Sequence, residues 1–223
     1  MRRLFAALLL FTCMVAPLQS LGQEARLTRA VQPTIVAAGD GTFRGKAADV
    51  DFPRRLDVTM AERTTSLVAL GSGLRKKAFF KVYEGIAYAE ENASLNADPY
   101  RALLSGSIAI HFVMHFLRDV GAKKIQDAWR DGFDKYLSEE DMTSVLQADK
   151  ETFLENFART DIKKGETIEL TWLPDLGLFM SVAGEAKRHV ENPRLAAAVF
   201  SNWFSDKPIS GGLKKDLVRF LEQ

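Results

Sequence analysis

The sequence predicts an α+β protein, with an antiparallel sheet and helices packed on one face of it. Three observations point there. Ile108, Ile110, Phe112, Met114 and Phe116 share one face of an extended segment, while Ala109, His111, Val113, His115 and Leu117 share the other. After Gly121 the period changes to three and four, through Ile125, Ala128, Trp129, Gly132, Phe133 and Tyr136, which is a helix with one apolar side. Two further strands, Glu166 to Trp172 and Leu178 to Ala183, are joined by Pro174-Asp175-Leu176-Gly177, whose turn residues make a hairpin. Strands, helices, a hairpin and more helices follow one another in blocks, without the strict strand–helix alternation of a parallel sheet.

Composition permits this fold and narrows the function. The 223 residues are 47% hydrophobic and 26% charged, a balance that excludes disordered and fibrous classes and suffices for a large core without staples. With 30 Lys+Arg against 29 Asp+Glu there is no basic excess, so no nucleic-acid partner is expected.

The elements follow in order. Arg2 and Arg3, the apolar run Leu4 to Ala16 and the small residues of Ser20-Leu21-Gly22 together read as a secretory signal peptide over residues 1–22. Cleavage there leaves 201 residues, lowers the formal charge from +1 to −1 and predicts a periplasmic or secreted protein with no stable membrane insertion. The alternatives are an anchor that stays uncut and a lipoprotein reading of Leu10-Phe11-Thr12-Cys13, for which the apolar segment is short. If Cys13, the only cysteine, leaves with the signal, disulfides, Cys–zinc sites and thiol catalysis are not expected. Residues 23–48 read as an arm or linker with one short strand over Thr34 to Ala37. The main domain is expected over 49–223. It opens with extended pieces at Phe52-Pro53 and Leu56-Asp57-Val58. A strand over Ser66 to Leu70 is expected to break at Gly71-Ser72-Gly73, and a longer strand to run from Leu74 to Ala89. Beyond the first helix, Ser138 with Asp141 starts a second and Asp149 a third through Phe153, Leu154 and Phe157. Asn192-Pro193 caps a helix carrying Leu195, Val199, Phe200 and Trp203, and Ser210 opens a last one through Leu213, Leu217, Phe220 and Leu221.

The segment most loaded with chemistry is Gly71-Ser72-Gly73-Leu74-Arg75-Lys76-Lys77-Ala78-Phe79-Phe80-Lys81-Val82-Tyr83. Glycines that permit unusual backbone paths precede a fixed cation, aromatic residues and a phenol. Arg75 and Tyr83 are eight apart, so on one unbroken strand they face the same side. A guanidinium fork beside a phenol is matched to a carboxylate or an enolate oxygen. The competing interpretation is a solvated surface run.

This run resembles the signature of exported bacterial members of the chalcone isomerase-like family. Val50-Asp51-Phe52-Pro53, Phe116-Leu117-Arg118-Asp119-Val120, Lys123-Lys124-Ile125 with Ala128-Trp129, Lys163-Lys164-Gly165-Glu166, Leu173 to Gly177, and Phe200 to Phe204 with Pro208 agree with it in order. The resemblance spans roughly residues 50 to 220. It implies an open-faced β-sandwich with helices over one sheet. It also implies either of two activities, closure of a flavanone ring from a chalcone or non-catalytic holding of a fatty acid. Of the isomerases' site residues only the arginine carries over cleanly, to Arg75, which is the one catalytic residue expected if the chain is an isomerase. The strand threonine falls near Tyr83, the helix tyrosine and asparagine near Lys124 and Asp131, and the late hydroxyl near Asn202. An Arg–Tyr pair is what the fatty-acid-binding members use to grip a carboxylate. The resemblance therefore implies Arg75, Tyr83, Asn202 and Lys124 as ligand-binding residues.

A cleft so lined would take an apolar carboxylate, its tail supplying roughly 0.8 kcal/mol per buried CH₂ and its head fixed by Arg75. Phe79, Phe80, Phe112, Met114 and Trp203 are candidates for its lining, with plain core packing the alternative for each. His111 and His115 lie about 13 Å apart at ~3.3 Å per strand residue, too far to share a metal, and His189 stands alone, so no metal and no cofactor are expected. The leading expectation is an exported, non-catalytic binder of a small apolar carboxylate such as a fatty acid. The alternatives are an isomerase acting on a phenolic enone, with Arg75 stabilising an enolate, and an envelope protein-interaction module with a vestigial cleft. No particular protein partner follows from the sequence.

Overall fold

The computed structural model describes residues 32–95 and 97–222, so the expected signal segment lies outside the described residues. In chain order the strands are β1 (Thr34–Ala37), β2 (Thr42–Arg44), β3 (Asp51–Pro53), β4 (Arg55–Met60), β5 (Arg63–Lys77), β6 (Phe80–Glu90), β7 (Ile110–Phe116), β8 (Thr167–Leu173), β9 (Gly177–Val182) and β10 (Glu185–Ala186). Eight of them form a curled antiparallel sheet in the order β1-β4-β5-β6-β7-β8-β9-β10, and β2 pairs with β3 as a separate ribbon. The expected α+β architecture, an antiparallel sheet with helices on one face, is what the chain adopts.

The helices are α1 (Pro99–Leu104), α2 (Ala122–Tyr136), α3 (Ser144–Glu155), α4 (Pro193–Phe204) and α5 (Gly211–Asp216). They cover the face of the sheet that presents Ala87, Ile110, Phe112, Met114 and Leu170. The opposite face carries Leu56, Val58, Leu67, Ile86 and Tyr88 under Phe43 and Phe52 of the small ribbon. The period-two pattern of β7 thus feeds two cores, one on each side. None of the described helices is long and apolar enough to cross a membrane.

Residues 34–48 lie against this same sheet. β1 pairs with β4, and the fully buried carboxylate of Glu84 accepts hydrogen bonds from the backbone N–H groups of Lys46, Ala47 and Ala48 at 2.7, 2.8 and 2.9 Å. Three donors around one carboxylate offset the cost of burying its charge and fix the loop to β6.

Several local expectations are corrected. The glycines do not break a strand: β5 runs through Gly71-Ser72-Gly73 without interruption. Their role is close approach. A Cβ on Gly71 would lie 2.3 Å from the Asp216 carbonyl oxygen, and one on Gly73 2.7 Å from Asp216 Cβ, so only glycine lets α5 sit on the strand. The long strand expected over Leu74 to Ala89 is instead split by a two-residue turn, Ala78-Phe79, with Ala78 in the left-handed region at φ 52°. Ser138 caps a short 3-10 turn through a capping box with Asp141, and α3 starts from a Thr143 cap, so Asp149 lies inside a helix. α1, capped by Asp98 with Pro99 at its start, is an additional element. The last helix ends at Asp216 and continues as a 3-10 turn at Arg219–Glu222.

Candidate functional site

Arg75 and Tyr83 meet across two strands and not along one. They are direct partners in the β5–β6 register, where antiparallel neighbours share a face. Two bulges set that face. The pairing shifts by one residue between Ala69 and Gly71, leaving Leu70 extra on β5, and shifts back between Arg75 and Lys76, leaving Val82 extra on β6. Between the bulges Gly71 and Gly73 face α5, and Arg75, the next residue in that series of two, borders a hollow on the helical side.

That hollow has a volume of about 540 Å³, within the roughly 300–1,000 Å³ typical of small-molecule sites. It lies between the helical face of β5 to β8 and the helices α2 and α4. Tyr83, Met114, Phe116, Ile168, Trp129 and Trp203 give it an apolar floor and walls. Its rim carries four cations, Arg75, Lys77, Arg118 and Lys124, and three acids, Asp119, Asp127 and Asp131. Two of the acids are engaged outside the hollow, Asp119 by Lys163 at 3.9 Å and Asp127 by Lys123 and Arg130 at 2.6 and 3.2 Å. Among the described residues no acid lies within ion-pair distance of any of the four rim cations. The cavity therefore combines an apolar interior with a mouth of positive charge, which favours an anion with a hydrophobic body.

Tyr83 is the polar group at its inner end. The ring is buried and packs on Phe116 with centroids 5.7 Å apart. Its Oη accepts a hydrogen bond from Trp203 Nε1 at 2.9 Å. Trp203 is itself fixed by Phe112, 4.1 Å away centroid to centroid, and by Trp129 edge-on at 5.9 Å. Burial pushes the phenol up to about 12, with the Trp203 hydrogen bond and the Arg75 charge pulling the other way. The hydroxyl thus keeps its proton at neutral pH. Trp203 occupies one lone pair on the oxygen, and the proton has no acceptor among the described residues. Arg75 is partly buried, and one of its terminal N–H groups donates to the Lys76 carbonyl, leaving further donors of its fork for the cavity.

Arg75, Tyr83, Lys124 and Asn202, the four residues singled out from the sequence, all border this one hollow. They are not equivalent in it. Lys124 is exposed in the first turn of α2. Asn202 is buried, and its Nδ2 donates to the Val199 and Ala198 carbonyls of its own helix at 2.9 and 3.5 Å. A Cβ on Gly132 would lie 2.8 Å from Asn202 Oδ1, so this side chain also fills the α2–α4 crossing. Of the aromatic residues considered for the lining, Phe80, Met114 and Trp203 border the cavity. Phe79 does not, being fully exposed at the hairpin tip, and Phe112 lies under Trp203 in the core. Arg118 and Phe116 are lining residues that were not singled out. Both continue the β7 pattern, and Arg118 two places after Phe116 marks where that face leaves the core.

The histidines stand elsewhere. His111 is buried on the opposite face, its Nδ1 hydrogen-bonded to Thr171 Oγ1 at 2.9 Å, and His115 packs edge-on to Phe52. Burial lowers both below the ordinary histidine range. His189 stacks on Phe179. Among the described residues no three His, Cys, Asp or Glu side chains gather as a metal site.

Comparison with known proteins follows the same lines. A sequence model described as chalcone isomerase-like matches residues 44–218. Among solved structures, the crystal structure of the fatty-acid binding protein of Arabidopsis thaliana superposes with a TM-score of 0.64. It shares 16% sequence identity, and the match covers 81% of this chain and 97% of that one. At that identity the likeness is one of fold. No curated protein matches the sequence.

Proposed function

Since the chain belongs to the chalcone isomerase-like family, we propose that its cavity holds a small apolar carboxylate, most simply a fatty acid, without transforming it. One observation carries this reading. Among the described residues the buried hydroxyl of Tyr83 has no acceptor for its proton and the neighbouring guanidinium of Arg75 has no acid within ion-pair distance, over an apolar hollow of about 540 Å³. A carboxylate at that point takes one hydrogen bond from the phenol and a charge-assisted one from the arginine. The acyl chain lies against Met114, Phe116, Ile168 and Trp203. Ten buried methylenes at roughly 0.8 kcal/mol each give about 8 kcal/mol, of the order of what association itself costs. The tail thus supplies affinity and the head group fixes orientation. The Arabidopsis neighbour, a fatty-acid binding protein, supports the ligand class.

Solvent extraction of the purified protein followed by mass spectrometry tests the reading. Co-purified long-chain acids are expected, together with saturable displacement of a fluorescent fatty acid by added acids. A protein that is empty and ignores added fatty acids refutes it. The isomerase alternative uses the same Arg75 against an enolate. It predicts accelerated loss of chalcone absorbance, where the binder predicts none.

The place of action proposed is outside the cytoplasm, on the strength of Arg2-Arg3 and the apolar run Leu4 to Ala16. The mass of the protein recovered from the periplasm of an expressing bacterium is expected to begin at Gln23. Full-length protein confined to the cytoplasm would overturn it.

A further inference from the structure

The hairpin that joins β5 to β6 carries a feature that ligand binding leaves unused. Phe79 at its tip is 100% exposed and the adjacent Phe80 is 60% exposed. Lys76, Lys77 and Lys81 flank the two rings, all exposed. Arg118 reaches over Phe80, its guanidinium carbon 4.7 Å from the ring centroid. Among the described residues none of these four cations has an acid within ion-pair distance. The turn is made by an alanine at positive φ, and alanine has less backbone freedom than glycine, so the tip presents Phe79 from a defined position.

Water gives no reward for holding two aromatic rings out among uncompensated cations. A lipid surface rewards both features at once. Aromatic rings settle at the level of the headgroups, and lysines meet the anionic phosphates beside them. The position of the tip matters as well. Arg75, Lys77, Phe80 and Arg118 form the side of the cavity's rim next to the hairpin, so the hairpin and that side of the mouth are one continuous surface. A surface bearing such charge is complementary to an anionic bilayer and not to a zwitterionic one.

We propose that the β5–β6 hairpin tip docks the protein on an anionic lipid bilayer, and that the cavity exchanges its ligand with that bilayer through the adjoining mouth. The docking half stands on the hairpin alone, and the exchange half rests on the ligand proposed above. An apolar tail passing from the mouth into a docked membrane need not cross bulk water.

The test is co-sedimentation with vesicles. Both cores and the cavity are built from residues within 32–222, so protein prepared from Gln23 onward retains every described element. Binding is expected to phosphatidylglycerol–phosphatidylethanolamine vesicles, at least tenfold more weakly to pure phosphatidylcholine, and to weaken as salt is raised. Phe79→Ala should lower partition roughly tenfold. The double variant Lys76→Gln, Lys81→Gln should lower it by a similar factor or more. Neither change touches a lining residue, so both should leave the melting midpoint and the affinity for a soluble ligand unchanged, while slowing delivery of a fluorescent fatty acid from vesicles. Equal binding by wild type and Phe79→Ala, or none by wild type, overturns the docking proposal and would leave an acidic protein as the occupant to seek. Tyr83→Phe, which alters a buried group and no charge on the docking face, separates the two readings, since it should weaken the fatty acid roughly tenfold and keep the vesicle. Vesicle binding by a protein that takes up no fatty acid would remove the ligand and leave the docking surface.

Discussion

Replacing Tyr83 by phenylalanine removes one oxygen and separates the two roles of the hydroxyl. The ring keeps its volume and its packing on Phe116, but Trp203 Nε1 loses the acceptor it now has at 2.9 Å. Trp203 is 2% exposed, so the orphaned donor finds little water. An unsatisfied buried donor costs about 1–3 kcal/mol, and unfolding by denaturant should register a loss of that size. A bound carboxylate separately loses the phenolic proton. Hydrogen bonds to charged groups contribute about 1.5–3 kcal/mol, and because the cavity is open at its rim the lower figure applies, or roughly a tenfold weaker affinity. The assay is displacement of a fluorescent fatty acid, run on the same preparation with the acid and with the corresponding alkane. The acid should lose its tenfold and the alkane should be unaffected. Burial pushes the phenol up to about 12, so the difference between wild type and variant should stay constant from about pH 6 to about pH 9. A protein that loses stability but binds acid as tightly as before would show the hydroxyl to be only a partner for Trp203, and the head-group site assigned to Tyr83 would be wrong.

Arg75→Ala should weaken binding of the acid at least tenfold while changing that of its methyl ester less than about twofold, and equal losses for both would mean that the side chain acts by packing alone. Gly71→Ala would put a Cβ 2.3 Å from the Asp216 carbonyl oxygen and 2.8 Å from the Leu217 carbonyl carbon, both backbone atoms that cannot rotate away. A stability loss above about 3 kcal/mol is expected in chemical denaturation, and a loss under about 1 kcal/mol would refute the close approach. His111 and His115 are held below 6.5 chiefly by burial, with Glu169 and Glu84 respectively pulling the other way. The folded state therefore binds fewer protons than the unfolded one just below that value, so stability is full above about pH 6.5 and declines as the pH falls towards the lowered native values. The melting midpoint should drop between pH 7 and pH 5, and His111→Gln should flatten part of that drop; an identical profile in the variant would assign it to other groups.

What the sequence disclosed, and what it hid, follows from the range of the interactions involved. The alternation of β7 and the three–four period of α2 are local, repeated and unambiguous, and both elements stand where the pattern put them. The β8–β9 hairpin announced itself through Pro174, Asp175 and Gly177. The β5–β6 turn gave no such sign. Its two residues are alanine and phenylalanine, and the left-handed conformation of Ala78 is imposed by the pairing on either side and not by turn chemistry. Without that turn Arg75 and Tyr83 fall on one strand, and their even spacing then gives the right neighbourhood for the wrong reason. Asn202 borders the cavity as expected, and what the sequence does not disclose is that its Nδ2 donates to carbonyls of the helix that carries it.

The glycines show how a site can be read off residues that never touch a ligand. Gly71, Gly73 and Arg75 follow one another in steps of two on the same face of β5. The first two are bare so that α5 can lie against the strand, and the third is the first position beyond that helix where a side chain has room. The bulge at Leu70 sets this face and the second bulge at Val82 ends it, so the arginine is positioned by strand irregularities whose cause is packing. It follows that the depth of Arg75 in the cavity depends on how closely α5 is seated. A substitution such as Gly73→Ala, 2.7 Å from Asp216 Cβ and 2.8 Å from Leu213 Cδ1, should therefore weaken acid binding even where the protein still folds, though it lies outside the cavity. The methyl ester of the same acid, which does not need the guanidinium, should bind that variant as it binds the wild type. Were the ester to suffer equally, the glycines would be shaping the hollow as a whole and not the placement of the Arg75 fork.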